Sequence, residues 1–108
     1  MKIEEQNGFL IVSPNGKLDT ITAPKFSEEL LTIINPKLKG CIIDLSDISF
    51  LSSSGLQSLL IGAKEAQKNN IKYAVCGMNK MVKDVFLLSG FDRFINSFDT
   101  LEDTIKNL

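Results

Sequence analysis

Three consecutive serines, Ser52, Ser53 and Ser54, are the residues of this chain whose type and position could carry chemistry. They follow an apolar run and an acidic, serine-rich turn, and they directly precede a helix-forming segment. Serine is favoured at a helix N-terminus because its side-chain oxygen accepts hydrogen bonds from unpaired backbone N–H groups. The same N–H groups and the helix dipole also favour a phosphate group. For Ser53 the sequence therefore predicts either a helix cap or a phosphorylation site.

Enzymatic use of these serines finds little support in the rest of the sequence. The chain has no histidine, which is the commonest general base and metal ligand. It also has no glycine-rich phosphate loop, no dinucleotide-binding motif and no G-x-S-x-G nucleophile elbow. A phospho-aspartate receiver needs an acidic pair after its first strand to hold Mg²⁺, whereas the first two turns carry Asn-Gly. We therefore expect a protein that is not an enzyme and uses no cofactor or metal. A small hydrolase that uses one of the serines is the least favoured alternative.

Length and charge indicate one domain, residues 1–108, without an affinity for polyanions. The chain has 12 basic and 13 acidic residues, for a net charge of −1, and no basic stripe, so we expect no direct binding to nucleic acid or to a membrane surface. No apolar run approaches the ~20 residues of a bilayer span, and the N-terminus turns acidic where a signal peptide becomes apolar. We expect a cytoplasmic protein in which Cys41 and Cys76 are buried free thiols.

Strands alternate with helices in the predicted secondary structure. Asn7-Gly8 predicts a hairpin between two short N-terminal strands. Apolar runs at 41–45 and 71–76 are typical of strands covered on both faces. A short strand is predicted at Phe94-Ile95, and helices are predicted at about 22–34, 54–69, 79–89 and from 99 onward. This order predicts an α/β fold with a mostly parallel central sheet, an N-terminal antiparallel hairpin and about four helices.

The predicted second helix has two distinct faces. One face should pack on the sheet and carries Leu56, Leu59, Leu60, Ala63 and Gln67. The opposite face carries Gln57, Ser58 and Ile61, and Ile61 is the single large aliphatic residue among polar neighbours. Such a residue next to the serines is a candidate apolar anchor for a partner protein, with Gln57 and Ser58 at its rim. The alternative is an exposed apolar residue without a function.

Over nearly its full length the chain resembles the STAS domain family of bacterial anti-sigma factor antagonists. Gly16-Lys17-Leu18-Asp19 resembles the element that precedes the first helix of the family. The central signature of the family is matched by Asp44-Leu45-Ser46, Phe50-Leu51 and Ser53-Ser54-Gly55-Leu56. One position departs from the pattern, because Ser52 stands where many members carry Asp.

The resemblance implies a regulatory cycle. In such antagonists the unmodified protein binds an anti-sigma factor with serine kinase activity and thereby frees a sigma factor. The kinase then phosphorylates the antagonist, and a PP2C-type phosphatase reverses this. The phosphorylated residue corresponds to Ser53, with Ser52 and Ser54 as competing acceptors because of the missing Asp.

The expected partner-binding set combines the resemblance with the helix face described above. It comprises Asp19, Ser52, Ser53, Ser54, Gly55, Gln57, Ser58 and Ile61. Asp19 is alternatively a turn residue, and Asp44 is expected to bond the turn that follows it. Two further alternatives are a STAS scaffold subunit of a larger signalling complex and, less expected given Met1, a domain of a transporter.

Overall fold

The structure, a computed structural model, describes all 108 residues and contains seven strands and four α-helices. The strands are β1 (Lys2–Gln6), β2 (Phe9–Ser13), β3 (Asn15–Leu18), β4 (Gly40–Asp44), β5 (Asp47–Leu51), β6 (Lys72–Cys76) and β7 (Asn96–Phe98). The helices are α1 (Ala23–Ile33), α2 (Ser53–Lys68), α3 (Lys80–Leu88) and α4 (Leu101–Asn107).

Five of the strands form the central sheet, in the order β1-β2-β4-β6-β7. The first pair is antiparallel, and each of the other three pairs is parallel. The hairpin between β1 and β2 turns at Asn7 and Gly8, whose φ angles of 56° and 84° are those of a two-residue type I′ turn. The predicted fold class, including the antiparallel hairpin and the four helices, is confirmed.

Two segments that were predicted as turns are strands. β3 and β5 pair in parallel and form a separate two-stranded sheet. In these strands only Leu18, Ile48 and Leu51 are buried, so neither segment shows an apolar run that would predict a strand. This small sheet positions the candidate site, because β3 leads to Asp19 and β5 leads directly to Ser52.

Apolar residues cover both faces of the central sheet. The larger cluster, which contains Cys41, receives side chains from α1, α2 and α3. The smaller cluster, which contains Cys76, packs against α4. Both cysteines are buried and free, as predicted. Because they lie on opposite faces of the sheet, they do not meet. Burial raises the pKa of Cys41 to about 12 and that of Cys76 to about 11.

The last strand lies later in the chain than predicted. A single 3₁₀ turn, Phe91–Arg93, follows α3, and the strand begins at Asn96 instead of at Phe94. Phe94 is exposed and Ile95 is buried in the core. The apolar pair is therefore explained by the burial of Ile95, and the expectation of a strand at these two residues is wrong. No helix of the chain combines the length and the apolar character needed to cross a membrane.

Candidate partner-binding site

The three serines occupy three different positions at the start of α2. Ser52 is the N-cap, and its hydroxyl oxygen accepts from the Gly55 N–H at 3.2 Å. Ser53 is the first helical residue; it is exposed, and its hydroxyl has no hydrogen bond within the chain. Ser54 is half-buried, with its Oγ 3.4 Å from Oγ1 of Thr20. The expectation that Ser53 itself could be the cap is wrong, because its neighbour Ser52 fills that role.

Asp19 organises the loop between β3 and α1. Its Oδ1 accepts from the backbone N–H of Ile21 at 3.0 Å and from that of Thr22 at 3.1 Å. These hydrogen bonds, foremost the one from Thr22, lower the pKa of Asp19 because they stabilise its carboxylate. Thr22 makes no capping bond to α1 and donates instead to the Lys17 carbonyl at 2.6 Å. The geometry supports the turn role for Asp19.

Gly55 allows this loop to lie directly against α2. A Cβ atom at position 55 would be 2.3 Å from the carbonyl oxygen of Leu18 and 2.8 Å from a methyl group of Leu51. Real Cβ atoms do not come this close to a backbone oxygen, so the packing requires glycine here. The end of β3 and the first turn of α2 therefore form one continuous surface.

On α2 the structure corrects two of the expected positions. Ser58 is buried, and its hydroxyl donates to the Gly55 carbonyl at 2.6 Å, so its expected place on the exposed face is wrong. The reason is that α1 packs against α2 on this side of the helix. Gln67, expected on the buried face, is exposed, because the buried stripe runs instead through Leu59, Gly62 and Ala66.

A shallow groove of about 210 Å³ lies between α1 and α2 beside the serines. Gln57 and Ile61 line it from α2, and 37% of Ile61 is exposed. The hydroxyl of Ser27 in this groove donates inward to the Ala23 carbonyl, as that of Ser58 does to Gly55. The lining contains no charged residue; it consists of Ala23, Pro24, Ser27, Ser54, Gln57, Ser58 and Ile61.

Asp44 serves the fold, as predicted. Its Oδ1 accepts from both the backbone N–H and the hydroxyl of Ser46, which closes the turn between β4 and β5. Gly77 packs against the same turn, where a Cβ atom would meet the Ser46 hydroxyl. The carboxylate of Asp44 therefore makes its hydrogen bonds within this turn.

Sequence reasoning missed two residues of this surface, Thr20 and Ile21. Thr20 contacts Ser54, and Ile21 is 87% exposed at the tip of the same loop. The Gly-x-Leu-Asp element indicated a loop before the first helix. Nothing in the sequence indicated that this loop would contact α2, because that contact depends on the pairing of β3 with β5.

The arrangement can receive a phosphoryl group but does not resemble a nucleophile site. Ser53 Oγ is exposed, and no side chain is hydrogen-bonded to it that could take its proton. A phosphate on this oxygen would lie at the N-terminus of a 16-residue helix, where negative charge is stabilised.

Comparison with known proteins assigns the fold to one family. The family model of the STAS domain matches residues 1–104. The chain therefore belongs to the STAS domain family.

The chain is also similar to individual proteins in sequence and in structure. The chain is 28% identical to the anti-sigma-F factor antagonist RsfB of Mycobacterium tuberculosis, over 98% of this chain and 86% of that protein. It is 26% identical to an anti-sigma factor antagonist from Mycobacterium paratuberculosis, with a TM-score of 0.84 over 97% of this chain and 89% of that one. A Thermotoga maritima protein, 21% identical, shares the fold with a TM-score of 0.89 over 97% and 91% of the two chains.

Proposed function

We propose that this chain is an anti-sigma factor antagonist that is switched by phosphorylation of Ser53. Ser53 is chosen because the three serines differ in their exposure and hydrogen bonds. Ser52 is engaged as a helix cap and Ser54 contacts Thr20, whereas Ser53 is exposed and its hydroxyl is free. The anti-sigma factor antagonists among its relatives support the role of the whole chain.

In the proposed cycle the unmodified chain binds an anti-sigma factor with serine kinase activity, and a sigma factor is released in the cytoplasm. Ser53 Oγ attacks the γ-phosphorus of ATP, the bond to the β-phosphate oxygen breaks and ADP leaves, and a base of the kinase takes the hydroxyl proton. A PP2C-type phosphatase hydrolyses the phosphoserine and regenerates the binding form.

Charge and desolvation explain how the phosphate would act. It adds about −1.5 to −2 charge at neutral pH, next to a groove whose lining has no charged residue. A partner that fits this neutral surface would have to bury that charge without a counter-ion, which is costly.

The fold itself should tolerate the modification. Since the Ser53 hydroxyl has no partner within the chain, no internal hydrogen bond is lost when it is phosphorylated. The helix N-terminus stabilises the added charge. The switch therefore acts on the interface and leaves the domain folded.

The test measures binding of the purified chain to the purified anti-sigma factor kinases of its source organism, each titrated in turn by calorimetry. We expect one of them to bind the unmodified chain and Ser53→Ala, and to bind Ser53→Asp at least tenfold more weakly. Ser53→Asp should melt at or above the temperature of the unmodified chain.

Three outcomes contradict the proposal. They are the absence of binding to every kinase, equal binding of Ser53→Asp, and a lowered melting temperature of that variant. Stable assembly with other STAS proteins in place of a kinase would support the scaffold alternative.

A further inference from the structure

We propose that Ile21 is the main apolar residue by which this chain holds its protein partner, and that Asp19 is a positioning residue that presents it. The proposal rests on the proposed function, since it assigns the contact residue of the same interface. The partner it requires is a folded protein with an apolar pocket for one isoleucine side chain next to the region that contacts Ser53.

Ile21 combines an exposed side chain with a backbone that is fixed by hydrogen bonds. Its side chain is 87% accessible, so burying it within the domain contributes little to folding. Its backbone N–H donates to Asp19 Oδ1 at 3.0 Å, and the N–H of Thr22 donates to the same oxygen. A β-branched side chain on a held backbone loses little conformational freedom when it is bound, which favours affinity.

The loop that carries Ile21 is also fastened to the start of α2. The Leu18 carbonyl, at the beginning of the loop, accepts from the backbone N–H of Ser52 at 3.0 Å. Thr20, the residue before Ile21, contacts the Ser54 hydroxyl at 3.4 Å. Ile21 and Ser53 are thereby held in a fixed relation on neighbouring segments, so one partner surface can reach both.

The loop that carries Ile21 lies beside two shallow depressions of the surface, and Ile21 remains exposed next to them. Ala23 and Pro24, which follow in the chain, line the neutral groove on one side. On the other side a depression of about 400 Å³ is bordered by Lys17, Lys25 and Glu29. Ile21 itself borders this depression and is the most exposed aliphatic residue near the serines, whereas Ile61 is only 37% exposed. Central apolar anchors of this kind carry much of the energy of protein interfaces.

The role assigned to Asp19 differs from direct contact in a measurable way. Asparagine keeps a side-chain oxygen that can accept the two backbone hydrogen bonds but removes the charge. If Asp19 positions the loop, Asp19→Asn should bind nearly as well as the unmodified chain and Asp19→Ala should not. If Asp19 contacts the partner through its charge, both variants should bind weakly.

The experiment titrates Ile21→Ser, Asp19→Asn and Asp19→Ala into the purified anti-sigma factor kinase that binds the unmodified chain. Leu88→Ser is the matched control, because Leu88 is 88% exposed and is the last residue of α3, an element that contributes no residue to the groove beside the serines. Ile21→Ser should weaken binding about 30-fold, the factor that corresponds to about 2 kcal/mol, and Leu88→Ser should leave it unchanged. Circular dichroism should show the same melting temperature for both serine variants.

The results separate this inference from the proposed function. If the unmodified chain binds a kinase and Ile21→Ser binds equally well, the inference is wrong and the proposed function stands. Equal losses in Asp19→Asn and Asp19→Ala overturn the positioning role. If the unmodified chain binds none of the kinases, the proposed function fails and the inference fails with it.

Discussion

Ser52 holds the carbonyl oxygen of Leu18 with both its backbone N–H, at 3.0 Å, and its hydroxyl, at 3.4 Å. The same hydroxyl oxygen accepts from the N–H of Gly55, so one side chain caps α2 and joins it to the end of β3. By the family resemblance, Ser52 stands where many members carry Asp. An Asp could cap the helix equally well but could not donate a hydrogen bond to Leu18 when ionised.

Replacing neighbouring serines should have unequal effects on stability. Ser52→Ala removes the cap and should lower the free energy of unfolding by about 1 kcal/mol. Ser53→Ala removes a hydroxyl without a partner and should change it by less than about 0.5 kcal/mol. Urea unfolding of the two variants measures the difference. Equal destabilisation would show that Ser52 is not the residue that caps α2.

Gly55→Ala should disturb the junction between β3 and α2. The added methyl group would overlap the Leu18 carbonyl, and such overpacking costs about 1–3 kcal/mol in unfolding free energy. Gln57→Ala, two residues later on the exposed side of α2, is the control and should be nearly neutral. Urea unfolding distinguishes them, and a Gly55→Ala variant as stable as the control would contradict the close approach.

The two thiols should be unreactive in the folded protein, and their ionisation should change its stability only in alkali. At pH 8 an aromatic disulfide reagent should titrate no thiol before unfolding and two thiols after it, because Cys41 and Cys76 are buried and protonated. Rapid reaction of the native protein would contradict this burial.

The direction of the pH effect follows from the raised pKa values of the thiols. The unfolded chain ionises its thiols near the ordinary value of 9.0, whereas the folded chain keeps them protonated up to about 11 and 12. Their contribution to stability is therefore complete below pH 9 and is lost as the pH rises toward 12. Thermal unfolding between pH 8 and pH 11 measures it in the unmodified chain and in the double Cys→Ala variant. The loss with rising pH should be smaller in the variant.

The elements with a strong apolar pattern could be predicted from the sequence. The strands that form only because they pair with a segment far away in the sequence could not. The continuous apolar runs of β4 and β6 and the turn at Asn7-Gly8 predicted the central sheet. β3 and β5 have few buried side chains, and they are strands because they pair with each other. Helical spacing indicated that α2 is amphipathic, but it could not show that α1 covers Ser58.

The candidate site, too, could be predicted only in part from the sequence. The serine cluster and Asp19 could be selected from residue types and from the family pattern. The separate roles of Ser52, Ser53 and Ser54 required the positions of Leu18 and Thr20, which are more than 30 residues away in the chain. Ile21 was missed because an isolated isoleucine in a loop carries no pattern.

The central claim is tested most directly by mapping phosphate on the protein purified from its own cells with phosphatase inhibitors present. Intact-mass and peptide mass spectrometry should find a form that is one phosphate heavier and carries the phosphate on Ser53. A chain that is unmodified under every growth condition, or a phosphate confined to Ser52 or Ser54, would contradict the account.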